Sequence, residues 1–246
     1  MTKRAKGTLA LILAFVVLAN AGIFWKMSYS KTHTSGDTIV VRVGDTVAAN
    51  HPISQALYIF EEELERISNG RFDVRVYINS ALGGDRQQTE SVILGYMQGN
   101  TPPTSVLAGF DTRFMVVDLP FVFKSGEAAM KTLNGDLGEE LDPILEDLGL
   151  HAVGWTESGY RHITTNNIEA TSPEALKGLS IRTQENPIHM ASFQAWGASP
   201  TPMAFSELFT ALQQGAVDAE ENPLAVITAN RLHEVQNTVT LTGHFY

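Results

Sequence analysis

Arg182 lies at a position where an arginine side chain can bind a carboxylate. It ends a short apolar run that begins at Leu179, and Asn186-Pro187 opens a predicted helix just after it. At such a junction between strand and helix, the planar guanidinium can donate two parallel hydrogen bonds to one carboxylate. The alternative is a surface arginine that pairs with a nearby acid such as Glu185. The position alone leaves both explanations open.

Other residues are candidates for the same site, and each also has a simpler explanation. Arg161 lies in an extended segment, where a solvent-facing strand residue is the alternative. Asn222 precedes Pro223, and an N-cap role explains an asparagine there as well as a ligand contact does. Phe205 has the helical spacing of a core residue. Glu185 and Asn186 adjoin Arg182 and are expected either to contact the ligand or to orient the arginine. Thr46 and His51, after the first predicted strand, are weaker candidates for contacts from the first lobe.

No pattern in the sequence is typical of a catalytic or metal site. The seven histidines are scattered without the spacing of metal ligands on a helix, and there is no cysteine. There is no Gly-x-Ser-x-Gly nucleophile motif and no glycine-rich loop that would hold a phosphate. We therefore predict a protein that is not an enzyme and needs no metal or cofactor. An enzyme on a two-lobed scaffold is the alternative, but no nucleophile and base support it.

The charge balance favours a small ligand over nucleic acid. The 246 residues carry 17 lysines and arginines against 27 aspartates and glutamates, which gives a formal net charge of −10. Nucleic-acid binding requires positive charge to neutralise phosphates. Any anionic ligand must therefore be held by local cations that act against the overall field.

The stretch 178–225 alternates between short strands and helices. Strands are predicted at 179–182, 198–201 and 216–220. Each leads to a helix, and the expected helix starts are Asn186-Pro187, Thr201-Pro202 and Asn222-Pro223. Proline is tolerated in a first helical turn because its missing N–H has no partner there. This order is typical of an open, mostly parallel sheet, whose ligands bind beyond the carboxyl ends of the strands.

The first half of the chain has a similar alternation. Phe72 to Ile78 has apolar residues at every second position, which predicts a half-buried strand. The other predicted elements are strands at 38–43 and 151–156, a helix at 52–68, a helix that follows 82–87 and ends near Met97, and a helical pair within 125–148.

Pro102-Pro103 interrupts this pattern. Proline cannot lie in a central strand without loss of ladder hydrogen bonds. We therefore expect the strand near residue 100 to be shortened, or the ligand-facing edge of this half to be remodelled.

Residues 1–25 are predicted to be an export segment. Three basic residues precede an apolar run from Leu9 to Leu18, and Ala19-Asn20-Ala21 offers a small-x-small cleavage site. The apolar character continues to Trp25, so an uncleaved anchor is the alternative, although its span of about 18 residues is at the low end for a bilayer. Either way, we expect the folded part to lie outside the cytoplasm, in the periplasm, after a polar linker at 26–37.

Motifs in both halves resemble those of a known family. Arg182 followed by ENP, then GASPTPMAFSELFTALQQGAVD and a second ENP at 221–223, is similar to the solute-binding proteins of TRAP transporters, the DctP family. LGGDR, AGFD and DLPFVF also match, and the resemblance covers most of 38–246. It implies an extracytoplasmic receptor that captures a small organic acid and delivers it to the membrane subunits of a permease.

The resemblance also implies the fold. We expect an α/β architecture of two lobes, like that of periplasmic binding proteins, with β-sheets flanked by helices and the ligand cleft between the lobes. The expected first lobe is 38–158, and the second is 159–236, of which 159–167 is a crossing strand. Residues 237–246 are expected to form the return crossing strand. Family members usually continue with further helices, so we expect this chain to be a fragment or a truncated product.

Several residues acquire roles through the resemblance. It implies that Arg182 clamps the carboxylate, that Arg161 supplies a second cation, and that Asn222 contacts the ligand. It also moves Phe205 towards the wall of the cleft. Glu220 departs from the glutamine usual in the family and adds a negative charge close to the anion site.

The partners expected from the resemblance are a small carboxylate and the TRAP permease membrane subunits. We expect a monomer that does not bind nucleic acid. C4-dicarboxylates, sugar acids and keto acids all carry the carboxylate that Arg182 would bind, so the ligand is left open. A ligand-sensing protein that signals in trans to a membrane receptor would have the same sequence, and this alternative is left open as well.

Overall fold

The computed structural model describes residues 16–18 and 38–246. The residues predicted as the export segment and linker otherwise lie outside this part of the chain, so their prediction is not tested. No helix in the described residues is long and apolar enough to cross a bilayer.

The first lobe is built on a five-stranded sheet with the order β3-β2-β4-β1-β5. Its strands are β1 (Val16–Leu18), β2 (Ile39–Gly44), β3 (Phe72–Tyr77), β4 (Gly99–Asn100) and β5 (Leu150–Ala152). β2 runs parallel to β3 and β4, whereas β1 lies antiparallel between β4 and β5. The helices are α1 (Pro52–Ile67), α2 (Asp85–Ile93), α3 (Thr104–Leu107), a 3-10 helix (Thr112–Asp118), α4 (Gly126–Leu133) and α5 (Asp136–Asp147).

The second lobe contains two small sheets. Its elements are β6 (Arg161–Thr165), α6 (Pro173–Leu176), β7 (Ser180–Thr183), α7 (Pro187–Ala195), β8 (Ser199–Pro202), α8 (Phe205–Gln213), β9 (Glu220–Pro223), α9 (Leu224–Ala229), a 3-10 helix (Leu232–Glu234) and β10 (Thr238–Thr240). β7 and β8 are parallel, and the order β10-β6-β9 is antiparallel throughout. A parallel bridge between Ile181 and Ala219 connects the two sheets.

Each lobe has its own apolar core. In the first lobe, Phe114, Leu145 and Leu150 are fully buried, and in the second lobe Phe193 and Leu208 are. The two-lobed α/β architecture predicted from the sequence is confirmed. The exact lobe boundaries stay predictions.

The structure corrects two predicted helix starts, because Pro202 and Pro223 end strands and do not lie in first helical turns. Pro202 ends β8 at the edge of its sheet, where a missing N–H breaks no ladder, and α8 begins at Phe205. Asn222 and Pro223 both belong to β9, so the third helix begins at Leu224. Because β9 pairs antiparallel with β6, this lobe is also less parallel than expected.

The first lobe follows its predicted elements more closely. α2 ends at Ile93 rather than near Met97, since Gly95 adopts the positive φ of 79° that terminates a helix. β4 ends at Asn100, just before Thr101-Pro102, which confirms that the strand is shortened.

Candidate functional site

Two adjoining cavities lie between the lobes. The Arg182 cavity has a volume of about 260 Å³ and the Arg161 cavity about 150 Å³, each named for the arginine in its wall. Asp85 from the first lobe and Gln184 and Phe205 from the second line both cavities. The cleft predicted between the lobes is therefore present, and these three side chains are common to both cavities.

Arg182 is buried in this cleft, with 2% of its surface exposed. Its Nε and Nη2 groups donate to the Met203 carbonyl at 3.0 and 2.8 Å, which fixes the guanidinium in place. Nη1 is buried and has no hydrogen-bond partner in the described part of the chain. The Phe205 ring lies 5.9 Å from Cζ, within cation–π range. This burial excludes the alternative of a surface arginine.

Burial lowers the pKa of Arg182 to about 10, and the positive charge of Arg161 contributes to the shift. Arg182 is still protonated at neutral pH. Its charge is thus held in a poorly solvated place with one donor group unused, and that arrangement favours an incoming anion.

Arg161 is also buried, but its charge is largely balanced. Its Nε and Nη2 groups contact the two carboxylate oxygens of Glu221 at 2.6 and 2.8 Å, and Nη2 lies 3.2 Å from the Asn222 Oδ1. Burial alone would raise the pKa of Glu221, but Arg161 and neighbouring histidines hold it well below its ordinary value. The pair is therefore ionised and fixed across the β6–β9 ladder.

Asn222 is not a helix cap, because Pro223 occupies that position and the Asn222 backbone pairs with His162 in the sheet. Its amide instead bridges two charged groups. Oδ1 accepts from Arg161, and Nδ2 donates to the Glu220 carboxylate at 2.6 Å. Asn222 lines the Arg161 cavity.

Glu220 lies behind Asn222 and is fully buried. Its other carboxylate oxygen accepts from the Thr164 hydroxyl at 2.7 Å. Burial raises the pKa of Glu220 to about 7. Glu220 lines neither cavity, and its bond from Asn222 connects it to the wall of the Arg161 cavity.

Thr46, His51 and Asp85 form the first-lobe side of the site. The Thr46 hydroxyl donates to Asp85 Oδ1 at 3.0 Å. His51 caps α1 by accepting from the Ile53 N–H at Nδ1, and its buried Nε2 has no partner in the described residues. Asp85 begins α2 after a turn in which Gly83 has a φ of 99°, and burial raises the pKa of Asp85 to about 7. All three line the Arg161 cavity.

Asn186 lines neither cavity and instead joins the lobes. Its Oδ1 caps α7, while Nδ2 donates to the Ser105 carbonyl at 3.0 Å and to the Asp118 carboxylate at 2.7 Å. Ser105 also donates its hydroxyl to Gln184 at 2.5 Å. Glu185, between them, is exposed at the edge of the Arg182 cavity. A ligand contact from Asn186 stays a prediction, and its amide is already fully bonded.

Three further residues of this site are not among the candidates from the sequence. Asp85 lies in the LGGDR motif, and an acid in a first helical turn is a signal that marks it. Glu221 was visible as the acid of the second ENP, but its pairing with Arg161 spans 60 residues of chain. Gln184 had no signal in the sequence. Within the described residues, no cluster of three or more histidine, cysteine or acidic side chains is arranged to hold a metal ion.

Comparisons with known proteins give a consistent result. The model of the family described as bacterial extracellular solute-binding protein, family 7 (DctP), matches residues 43–246. A solute-binding protein of Verminephrobacter eiseniae is 38% identical over 213 residues, which are 87% of this chain and 64% of that protein. This chain thus spans less than two thirds of the length of that relative.

Solved structures agree. A TRAP periplasmic solute-binding protein of Polaromonas sp. JS666, bound to D-erythronate, has a TM-score of 0.82 and 38% identity, over 85% of this chain and 69% of that one. One from Sulfurospirillum deleyianum, with bound succinate, has a TM-score of 0.83 and 30% identity, over 86% and 68%. These relatives are binding proteins rather than enzymes. Because the family model matches most of this chain, the chain belongs to the DctP family of extracellular solute-binding proteins.

Proposed function

We propose that this chain captures a small organic acid, a C4-dicarboxylate or a sugar acid, outside the cytoplasm and delivers it to the membrane subunits of a TRAP-type permease. The observation that carries this proposal is Nη1 of Arg182, which is buried in a cleft between two lobes and has no partner in the described residues. A buried donor on a charged group is costly when it is left unsatisfied, and a carboxylate would satisfy it.

The geometry of the two arginines supports a carboxylate clamp. Met203 and Phe205 hold the Arg182 guanidinium, so little side-chain freedom is lost when a ligand binds. Arg161 lines the adjoining cavity, and because Glu221 balances most of its charge it acts as a weaker second cation beside Arg182. Asn222 supplies an amide beside them.

Transport requires that the two lobes separate and close. The bonds from the loop 184–186 to Ser105 and Asp118 hold them together in this structure. A ligand that contacts both lobes would favour the closed state, and the permease would recognise the surface of that state. The ligands in the two solved relatives, D-erythronate and succinate, support an organic acid as the solute.

The test is calorimetric titration of the purified chain with a panel of organic acids, before and after treatment with a chelator. We expect a monomer that binds at least one acid with the same affinity in both conditions. Loss of binding after chelation would contradict the metal-free clamp, and failure of every acid would contradict the proposed function. Uptake by cells that also produce TRAP membrane subunits then tests delivery.

A further inference from the structure

We propose that the ligand is a monocarboxylate that carries several hydroxyl groups, and that the first-lobe residues Asp85, Thr46 and His51 bind those hydroxyls. The proposal rests on the function proposed above. It narrows the ligand from organic acids in general to hydroxylated mono-acids, and it excludes a dicarboxylate as the preferred solute.

The positive charge available to a ligand is on the second-lobe side of the cleft. Among the described residues that line the two cavities, Arg182 has an unused donor, while the charge of Arg161 is balanced by Glu221. Arg86 is the other arginine in these walls, and it is exposed and paired with Glu90 at 3.1 Å. One carboxylate therefore meets the positive charge that the cleft offers.

The first-lobe wall of the cleft carries acidic rather than basic side chains. Asp45 and Asp85 both line the Arg161 cavity, and no lysine or arginine among the described first-lobe residues does. Above pH 7, where Asp85 is ionised, a second carboxylate placed against this wall would meet like charge without a cation in the described wall to compensate it. The wall therefore disfavours the second charge of a diacid.

The same wall offers a donor and an acceptor to a neutral group. Nδ1 of His51 accepts from the Ile53 N–H, so the neutral ring carries its proton on Nε2, where no partner is present in the described residues. Burial lowers the pKa of His51, which keeps the ring neutral. Asp85 accepts one bond from Thr46 and retains further acceptor capacity.

Hydroxyl groups match this combination, since each can both donate and accept. A carboxylate would only accept, and a methylene group would leave the His51 donor and the Asp85 acceptor unsatisfied after desolvation. The arrangement thus distinguishes three kinds of acid with the same number of carbon atoms, and the distinction can be measured directly.

The experiment compares matched acids by calorimetry at pH 8, above the pKa of about 7 of Asp85. The four-carbon set is erythronate, butyrate and succinate, and the six-carbon set is galactonate, hexanoate and adipate. We expect the hydroxylated acid of the set that binds to be at least about tenfold tighter than the other two, because each hydrogen bond contributes about a factor of five to ten.

Different outcomes overturn the hydroxy-acid proposal and the proposed solute-binding function. Tighter or equal binding of succinate or adipate overturns the proposal while the solute-binding function stands. Tighter or equal binding of butyrate or hexanoate does the same. Absence of binding by all six acids overturns both.

Variants test the first-lobe wall. Asp85→Asn keeps an acceptor for Thr46 but removes the negative charge, so we expect the ratio of hydroxy-acid to diacid affinity to fall about tenfold or more. Glu63→Gln removes an exposed charge of the same lobe, on α1, and should leave the ratio unchanged. If Asp85→Asn does not fold, His51→Gln replaces it, with the same expected fall. An unchanged ratio in a folded variant overturns the assignment.

Discussion

The guanidinium of Arg182 is only partly satisfied by the protein. Its Nε and Nη2 groups donate to the Met203 carbonyl, and Nη1, which has no partner in the described residues, is the donor that we propose for the ligand. Lysine has a compact ammonium group and can reproduce neither the fixed fork nor its two directions. The functional importance of this residue can therefore be tested without a change of charge.

We predict that Arg182→Lys weakens binding of the preferred acid by about 10- to 100-fold, because hydrogen bonds to charged groups contribute about 1.5–3 kcal/mol and each 1.4 kcal/mol is a factor of ten. Calorimetry of the variant and the parent measures this change. Arg66→Lys, an exposed residue of α1, is the control and should bind like the parent. Binding by Arg182→Lys within threefold of the parent would contradict the clamp.

The raised pKa of Glu220 leads to a separate prediction about how the stability of the protein depends on pH. Its pKa is raised from 4.5 to about 7 by burial, so the folded state disfavours its charged form. The resulting cost in stability is absent near pH 4.5, grows as the pH rises to about 7, and stays constant above that value. Replacement by glutamine removes the charge while keeping an acceptor for Asn222 or Thr164.

Glu220→Gln should therefore be more stable than the parent at pH 8. The gain in free energy of unfolding is up to about 3 kcal/mol, reduced by the contribution of the one hydrogen bond that the glutamine loses. The difference should shrink towards pH 5. Urea unfolding of both proteins from pH 5 to 8 measures it, with the exposed Glu62→Gln as the control. A variant that is less stable than the parent at pH 8 would show that the buried carboxylate is stabilising.

At the level of secondary-structure elements, the segment after β4 is shaped by its prolines. Pro102 and Pro103 end the strand early and line the Arg161 cavity, and Pro103 then precedes the short helix α3. The first lobe therefore presents a loop to the Arg161 cavity where a longer strand would otherwise continue.

Replacing both prolines by valine should change the affinity for the preferred acid by several-fold or alter the order of preference among acids. The expected cause is a longer β4, which would move Thr101 and Thr104 in the cavity wall. The same panel of acids measures the effect. Pro173→Ala, outside both cavities at the start of α6, is the matched control. An unchanged ligand profile in a folded double variant would argue against a role for this loop.

The elements with strong periodicity could be predicted from sequence, and those fixed by distant pairing could not. The alternation from Phe72 to Tyr77 and the helical pattern of α1 depend on local spacing, so their bounds agree within a residue or two. Asn222-Pro223 has a local pattern typical of a helix start, yet antiparallel pairing with β6 holds it in a strand. Tertiary pairing overrides local preference there.

In the candidate site too, residues marked by a local motif could be predicted and residues fixed by distant pairing could not. Arg182 was found because its motif is contiguous in the chain, and its burial supports the prediction. The Arg161–Glu221 pair joins strands that are 60 residues apart, and the local sequence does not specify that register. Asn186 was predicted beside the ligand, but the approach of the first lobe uses its amide for Ser105 and Asp118.

At the level of the whole molecule, the lobes are joined by buried polar contacts as well as by the chain crossings. The hydroxyl of Ser105 donates to Gln184 across the cleft. Residues near the last crossing also contact both lobes, since the Phe121 N–H donates to the His244 carbonyl and the Arg161 N–H to the Phe245 carbonyl. The closed state thus depends on contacts that a single substitution can weaken.

Ser105→Ala should shift the protein towards separated lobes and weaken ligand binding by about 3- to 10-fold, since a net hydrogen bond is worth about 1 kcal/mol and affinity follows the closed population. Small-angle X-ray scattering without ligand should show a larger radius of gyration than the parent. Ser91→Ala, whose hydroxyl bonds within its own helix, is the control. Equal scattering and equal affinity would show that this contact does not govern closure.

A crystal structure of the chain with its tightest-binding acid tests the Arg182 site most directly. We predict the carboxylate between the lobes, with an oxygen about 3 Å from Arg182 Nη1 and with Arg161 and Asn222 beside it. A carboxylate bound elsewhere, with Arg182 Nη1 still unpartnered, would contradict it.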